Sequence, residues 1–290
     1  MYEDILLPFD GNDSAAAVLH HAAEIAHWAD ATVHVLFVAD TTRDSVTVIK
    51  GQTVDALRQQ GKDIVAEAEK TLQTLGVDYE TDVVQGNPAP TITEYAERYG
   101  HDVIVMPTHG REGVSRYLMG SITEKVVRLS SVPVLTARMQ PDEQFAFPYE
   151  DILIPTDGSR GATRAAEHGL TLSSALDATV HLLSVVDDAS FGLDVRSTAS
   201  SETGEAAAQE AIDDLVSVAE EYDLRDIVHS IEHGSPVEGI LACIDENEIE
   251  AVVIGTIGRR GTDRVLLGSV AEKTVRSAPV PVITVSESEQ

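Results

Sequence analysis

Cysteine is almost missing from this chain: Cys243 stands alone among 290 residues. An intrachain disulfide is therefore impossible, and a CxxC metal or redox site is excluded. Cys243 lies in Gly239-Ile240-Leu241-Ala242-Cys243-Ile244, which reads as the apolar side of a helix. A buried structural thiol is expected there rather than a reactive one. Lysine is nearly as scarce, with five among 20 basic residues set against 49 acids and a net charge of −29. Such a surface repels nucleic acid and anionic membranes, so neither is expected as a partner. Acid-rich, lysine-poor surfaces resemble those of proteins from high-salt cytoplasm, where screening tolerates self-repulsion. No stretch approaches the roughly eighteen apolar residues of a membrane span. Met1-Tyr2-Glu3-Asp4 has neither the basic start nor the apolar run of a signal peptide, so a cytoplasmic protein is expected. Two familiar phosphate-binding signatures, GxxxxGK[ST] and GxGxxG, are absent as well.

What the chain does have is a copy of itself. Asp4-Ile5-Leu6-Leu7-Pro8-Phe9-Asp10-Gly11 returns 147 residues later as Asp151-Ile152-Leu153-Ile154-Pro155-Thr156-Asp157-Gly158. Leu118-Met119-Gly120-Ser121 returns 148 residues later as Leu266-Leu267-Gly268-Ser269, and Val132-Pro133-Val134 as Val280-Pro281-Val282. Matches in one order at a nearly constant, domain-sized offset mean a tandem duplication and not a solenoid. The expected division is a first domain over 1–138, a linker over 139–149 and a second domain over 150–286. The linker is short, so the domains should touch.

In the first repeat, strands are expected at Ile5–Phe9, Thr32–Ala39, Tyr79–Val84, Val103–Met106 and Val132–Thr136. Helices should cover Ser14 to about Trp28, Val54 to Leu75, Pro88 to Tyr99 and Ser121 to Leu129, with loop from Thr41 to Gln52. Gly76 and Gly100 act as stops. The second repeat places strands near Ile152–Ile154, Val180–Val186, Asp226–Ile231, Ala251–Ile254 and Val280–Val285. The polar stretch Asp187 to Gly204 reads as a loop, either a cover for a site or an ordinary connection. Apolar strands alternating with helices demand a parallel sheet covered on both faces. Right-handed crossovers then leave each half a doubly wound α/β sheet, which in a five-stranded version with strand order 3-2-1-4-5 reverses between strands one and four. A ligand belongs at the carboxyl ends of the strands where the winding reverses, between strands one and four.

The loop after strand four in the second repeat runs from Gly255 to Ser269, with glycines at 255, 258 and 268. Glycine lets backbone N–H groups approach an anion closely, and Gly268-Ser269 opens a helix whose free amides favour phosphate. The Ser269 hydroxyl could serve a phosphate or a Mg²⁺ ion; the plainer reading makes Ser269 an ordinary N-cap. Segments 107–128 and 255–276 hold nine of the 20 basic residues: Arg111, Arg116, Lys125, Arg128, Arg259, Arg260, Arg264, Lys273 and Arg276. They hold only four acids, Glu112, Glu124, Asp263 and Glu272. An acidic protein that gathers cations around a glycine loop is expected to hold an anion there. Some of these cations, Lys273 and Arg276 first, could instead pair with acids. Asp10 and Asp157 end strand one at the same crevice. Their carboxylates should face a nucleoside or a metal, or else cap the following helix. His20, His21 and His27 share a helix with no pair three or four apart, so packing is expected of them rather than metal binding.

These residues resemble the universal stress protein family, in its tandem two-domain form, over essentially the whole chain. The acidity would suit a halophilic archaeal member. The resemblance rests on Ile152-Leu153-Ile154-Pro155-Thr156-Asp157-Gly158-Ser159 and on the spacing from Gly255 to Ser269. It implies two tandem doubly wound five-stranded sheets, Rossmann-like and akin to the adenine nucleotide alpha hydrolases. It further implies a stress-response protein that binds ATP, with Asp157 or Ser269 as the residues open to a Mg²⁺ ion, and that is not an enzyme. Pro155, Asp157 and Val185 would contact adenine and ribose. Ile254, Gly255, Thr256, Gly258, Arg259 and Arg260, with Gly268, Ser269 and Val270, would hold ribose and phosphates. The weaker counterparts are Pro8, Asp10, Val38, Gly110, Arg111, Gly120, Ser121 and Ile122. The first repeat departs from the pattern at Pro107, which replaces the first glycine, lacks an N–H and fixes φ. The family also implies that last strands pair, making an intrachain pseudo-dimer, with a homodimer and an unidentified protein partner as further options. The competing class is an ATPase or nucleotidyl-transferring enzyme on the same fold. That class needs a base or nucleophile beside the phosphates, and beyond Ser269 the second loop offers no His, Cys or Glu.

Overall fold

Aliphatic strands that end in Pro-x-Asp-Gly set the frame of this protein. The computed structural model describes residues 1–40, 52–108, 119–138, 145–187, 198–258 and 267–286, without the side chains of 52–57 and 198–202. The chain divides into unit 1, Met1–Phe147, and unit 2, Pro148–Gln290.

Unit 1 runs β1 (Asp4–Pro8), α1 (Asp13–Ala29), β2 (Thr32–Asp40), α2 (Gln52–Leu75), β3 (Tyr79–Gly86), α3 (Pro88–Tyr99), β4 (Val103–Pro107), α4 (Ser121–Leu129) and β5 (Val134–Ala137). Unit 2 runs β6 (Asp151–Pro155), α5 (Arg160–Leu176), β7 (Thr179–Val186), α6 (Thr198–Ala219), β8 (Asp226–His233), α7 (Pro236–Glu246), β9 (Ala251–Gly255), α8 (Ser269–Ser277) and β10 (Val282–Val285). Strand order in unit 1 is β3-β2-β1-β4-β5, and in unit 2 it is β8-β7-β6-β9-β10. Every strand pairing within a unit is parallel. Both units therefore have the expected doubly wound order, with the reversal between the first and fourth strands.

The central strands are buried on both faces, which is why their sequences are continuous apolar runs. Ile5, Leu6, Leu7, Ile104, Ile152 and Leu153 are fully buried. The edge strands β3 and β8 instead mix partly buried and exposed positions, in keeping with Asp, Glu and Gln among their residues. On β2, Phe37 packs against Gly61 of α2, where an added Cβ would lie 2.6 Å from its ring. Val38 therefore faces the opposite side of the sheet.

Helix ends are built alike in the two units. Asn12 accepts a hydrogen bond from the Ala15 N–H at 2.7 Å, and Ser159 one from the Ala162 N–H at 3.2 Å. Asp30 and Asp177 end the same helices in the left-handed region, at φ 55° and 54°. These caps satisfy amides and carbonyls that a helix end leaves open.

Two sequence expectations need correction. The final strands begin at Val134 and Val282 rather than at Val132 and Val280. Pro133 and Pro281 have no N–H for a ladder, although the Pro133 carbonyl still accepts from the Ile104 N–H at 2.9 Å. The expected loop Asp187–Gly204 ends in helix, because α6 starts at Thr198. Among its described side chains the buried stripe runs from Ala208 through Ala211, Ile212 and Leu215, and the sequence Thr198-Ala199-Ser200-Ser201-Glu202-Thr203-Gly204 before it shows no apolar periodicity to read. Residues 188–197 lie outside the described residues, as does the loop expected over Thr41–Gln52 except for Gln52, which begins α2.

Candidate functional site

The site begins where the sheet splits. In unit 2, β6 pairs with β9 only at Ile152 and Leu153, while its pairing with β7 continues to Pro155. Unit 1 does the same: β1 meets β4 at Ile5 and Leu6 and stays with β2 to Pro8. Alternate residues of a strand direct their backbone groups to opposite neighbours. Thr156 N–H donates to the Leu183 carbonyl at 2.8 Å and Phe9 N–H to the Leu36 carbonyl at 2.9 Å. The preceding prolines therefore face the split, where an N–H would have no strand to meet. At positions 8 and 155 themselves, proline presents no N–H to the crevice.

Immediately beyond, Gly11 and Gly158 turn the chain at φ 74° and 72°, a conformation that favours glycine. The Asp157 carboxylate accepts from the Ser159 N–H at 2.9 Å. Asp10 accepts from the Asn12 N–H at 3.2 Å and from the Asn12 side-chain amide at 3.0 Å. The capping alternative for Asp10 and Asp157 is therefore set aside: Asn12 and Ser159 cap the helices, and the aspartates brace the turn.

The loop after β9 meets this turn. A Cβ added to Gly258 would lie 2.7 Å from Oδ2 of Asp157, so the second motif glycine and the strand-one aspartate touch. Thr256 N–H donates to the Val285 carbonyl at 3.0 Å, and its own carbonyl accepts from the Gly268 N–H at 2.7 Å. Those two bonds carry the chain out of β9 and hold the start of α8 beside it. Gly268 is the N-cap of α8 and has no side chain to cap it, so Ser269 is the first helical residue and not the cap. Ser269 is exposed, with Gly268 and Val270 partly so. The opening amides of α8 and its dipole thus face a partly open crevice, an arrangement that favours an anion. Ile254 is buried beneath the loop, and Val185 sits beside Gly239 of α7, whose added Cβ would be 3.0 Å away.

Unit 1 repeats the frame. Thr108 N–H donates to the Ala137 carbonyl at 3.0 Å, and Gly120 N–H to the Thr108 carbonyl at 2.7 Å. Ser121 and Ile122 are exposed at the start of α4, with Ile122 at 38%. Pro107, in place of Gly255, is buried, and its carbonyl accepts from the Thr123 hydroxyl at 2.9 Å.

Structure brings together Pro155, Asp157, Gly255, Thr256, Gly258 and Gly268 at one end of the sheet. Pro8, Asp10, Val38 and Gly120 occupy the matching positions in unit 1. Gly110, Arg111, Arg116, Arg259, Arg260 and Arg264 lie outside the described residues. Of the remaining cations, Arg276 pairs with Glu272 at 2.6 Å, one helical turn away, so it takes the acid-pairing alternative. Cys243 is buried in α7, and that burial raises its thiol pKa, as befits a packed thiol.

Sequence reading missed two features. One is Gly161, whose added Cβ would fall 2.2 Å from the Ile257 carbonyl oxygen. Its signal was a glycine in the first turn of a helix, where alanine is the better residue. The other is a repeated hydrogen bond at the opposite end of the sheet: His34 with Asp4 at 2.6 Å, and His181 with Asp151 at 2.8 Å. The identical spacing of the two pairs in the chain could have revealed it.

The sequence model of the universal stress protein family matches residues 1–138 and again 148–286. Among individual proteins, the universal stress protein MJ0531 of Methanocaldococcus jannaschii is 32% identical over 146 residues, covering 49% of this chain and 86% of its own length. The universal stress protein YxiE of Bacillus subtilis is 30% identical over 148 residues, covering 48% of this chain and 100% of its own. A crystal structure of a universal stress protein from Archaeoglobus fulgidus has the same fold across both units. Its TM-score is 0.77 at 23% identity, with 98% of each chain covered.

Proposed function

The chain belongs to the universal stress protein family, and on that premise we propose that unit 2 binds ATP in the crevice between β6 and β9. Adenine and ribose lie along Pro155, Asp157 and Val185. The phosphates lie against the amides of the Gly255–Gly258 segment and the start of α8, with Arg259 and Arg260 as counter-charges. The observation that carries this reading is the contact of Gly258 with Asp157 beside a helix N-terminus whose N-cap, Gly268, has no side chain to cover its amides. It puts a ribose-type acceptor and a phosphate-type donor set next to each other, at the reversal point of the sheet.

A Mg²⁺ ion fits the donor chemistry, since the Asp157 carboxylate and the Ser269 hydroxyl are hard oxygen ligands. Among the described residues no three His, Cys, Asp or Glu side chains are grouped to hold a metal. Mg²⁺ would therefore be held largely by the phosphates, as is usual for that ion. The protein works by a nucleotide-dependent change of shape or of protein partner, in the cytoplasm, and not by catalysis. No helix among the described residues is long and apolar enough to cross a membrane.

The test is nucleotide retained through purification and identified by mass. ATP bound without turnover supports a binding protein. Steady phosphate release that Ser269→Ala abolishes would replace it with the enzyme reading.

A further inference from the structure

Gly161 is the second residue of α5 and has no left-handed backbone that would call for glycine. Alanine would favour the helix there. What opposes a side chain is the Ile257 carbonyl oxygen, 2.2 Å from the position a Cβ would take. Directly beneath, a Cβ on Gly255 would lie 2.6 Å from both the carbonyl carbon and oxygen of Gly161, and 3.0 Å from the Ala162 nitrogen. These obstacles are backbone atoms, which cannot swing aside as a side chain can. Bare backbone therefore meets bare backbone, and the chain leaving β9 lies directly on the first turn of α5. The next contact along this chain is Gly258 against Asp157. Unit 1 carries Ser14 where unit 2 has Gly161, and Pro107 where it has Gly255. A loop seated as in unit 2 would collide with both.

We infer that Gly161 is a positioning residue that seats the phosphate loop of unit 2 on α5, and that its replacement by Ser14 makes the two crevices unequal, leaving the triphosphate to unit 2. The inference rests on the nucleotide reading above and adds to it the residue that decides which repeat binds. Gly161 acts through Ile257 and Gly258. Its loss should weaken the hold on phosphates while leaving the nucleoside contacts of Pro155 and Val185 in place.

The experiment uses the full chain with Gly161→Ala and Gly161→Ser. Calorimetric titration compares ATP with adenosine, and amide hydrogen exchange follows residues 256–258 without ligand. ATP affinity should fall at least tenfold in either variant, while adenosine affinity changes less than twofold. Exchange at 256–258 should quicken while that of β6 and β7 is unchanged, which also reports that the unit is folded. An unchanged ratio of ATP to adenosine affinity, or equal losses of both, overturns the positioning role. Unaltered exchange at 256–258 overturns the seat itself. A wild-type chain that binds neither ligand sinks the nucleotide reading and the phosphate role of Gly161 with it. The exchange measurement would still decide separately whether Gly161 seats the loop.

Discussion

The two units of this chain share a frame and differ where a phosphate would lie. Both turn at a left-handed glycine after strand one, cap the next helix with Asn12 or Ser159, and return the strand-four loop through Thr108 or Thr256. Both end the pairing of the first and fourth strands two residues before the proline. Against that likeness, unit 2 has glycine at 161 and 255, where unit 1 has Ser14 and Pro107. Pro107 also gains a hydrogen bond from Thr123, whose counterpart Ala271 has no hydroxyl to donate. The contrast separates the parts that both folds need from those that the proposed nucleotide site would need. Caps, turns and apolar strands were kept in both copies because each copy must fold. At 161 and 255 unit 2 has glycine where its backbone segments approach closely, although glycine costs a helix or strand stability.

The comparison can be broken most directly at the core. Ile5→Ala and Ile152→Ala remove equivalent, fully buried side chains. Each should cost about 2–5 kcal/mol in denaturant unfolding. A large inequality between the two would mean that the frames are not equivalent after all.

Next comes the crevice. A Cβ at Gly268 would lie 3.0 Å from the Thr256 carbonyl oxygen. Gly268→Val should therefore weaken ATP binding by about 100-fold, which corresponds to about 2.7 kcal/mol. Gly120→Val, the same change in unit 1, should leave ATP affinity as it was. Calorimetry that finds equal losses would erase the distinction between the crevices.

Acid should sharpen the contrast by a comparable amount. Burial lowers the pKa of His168 from 6.5 to about 4. Between those values the unfolded chain holds a proton that the folded chain does not. Stability should thus be full above pH 6.5, fall as pH drops toward 4, and level off below it. The loss is about 3 kcal/mol. Its counterpart in unit 1, His21, instead lies 3.4 Å from the Glu24 carboxylate and edge-on to Phe145 and Phe147. Unfolding followed against pH should lose this slope in His168→Gln, and a slope that persists would refute the assignment.

The smallest effect belongs to the caps. Asn12→Ala and Ser159→Ala should each destabilise by about 1 kcal/mol. Thermal melts of the two variants should agree, since the two caps make the same bond.

Much of this was legible in the residues, and the physical reasons are local. Continuous apolar runs could only be central parallel strands, and the punctuation by Gly76, Gly100, Pro88 and the Asp-Gly turns bounded the helices between them. The start of α6 escaped because helix can extend past its buried stripe into polar sequence with no periodic mark. Ser269 was open to a capping reading because Gly-Ser carries two residues able to begin a helix, and only the backbone angles of Gly268 (φ −61°, ψ 141°) decide between them.

By itself the sequence determined the duplication, the doubly wound class of each half and the end of the sheet that carries the crevice. Those follow from periodicity, handedness and the order of elements, which any long stretch of chain displays. Tertiary structure alone decided that Gly161 meets Ile257, that Gly258 meets Asp157, and that Asp4 and Asp151 each hold a histidine at the far end. Such contacts join residues from different βα units. Sub-ångström differences in approach set them, and a linear pattern has no means of recording that distance.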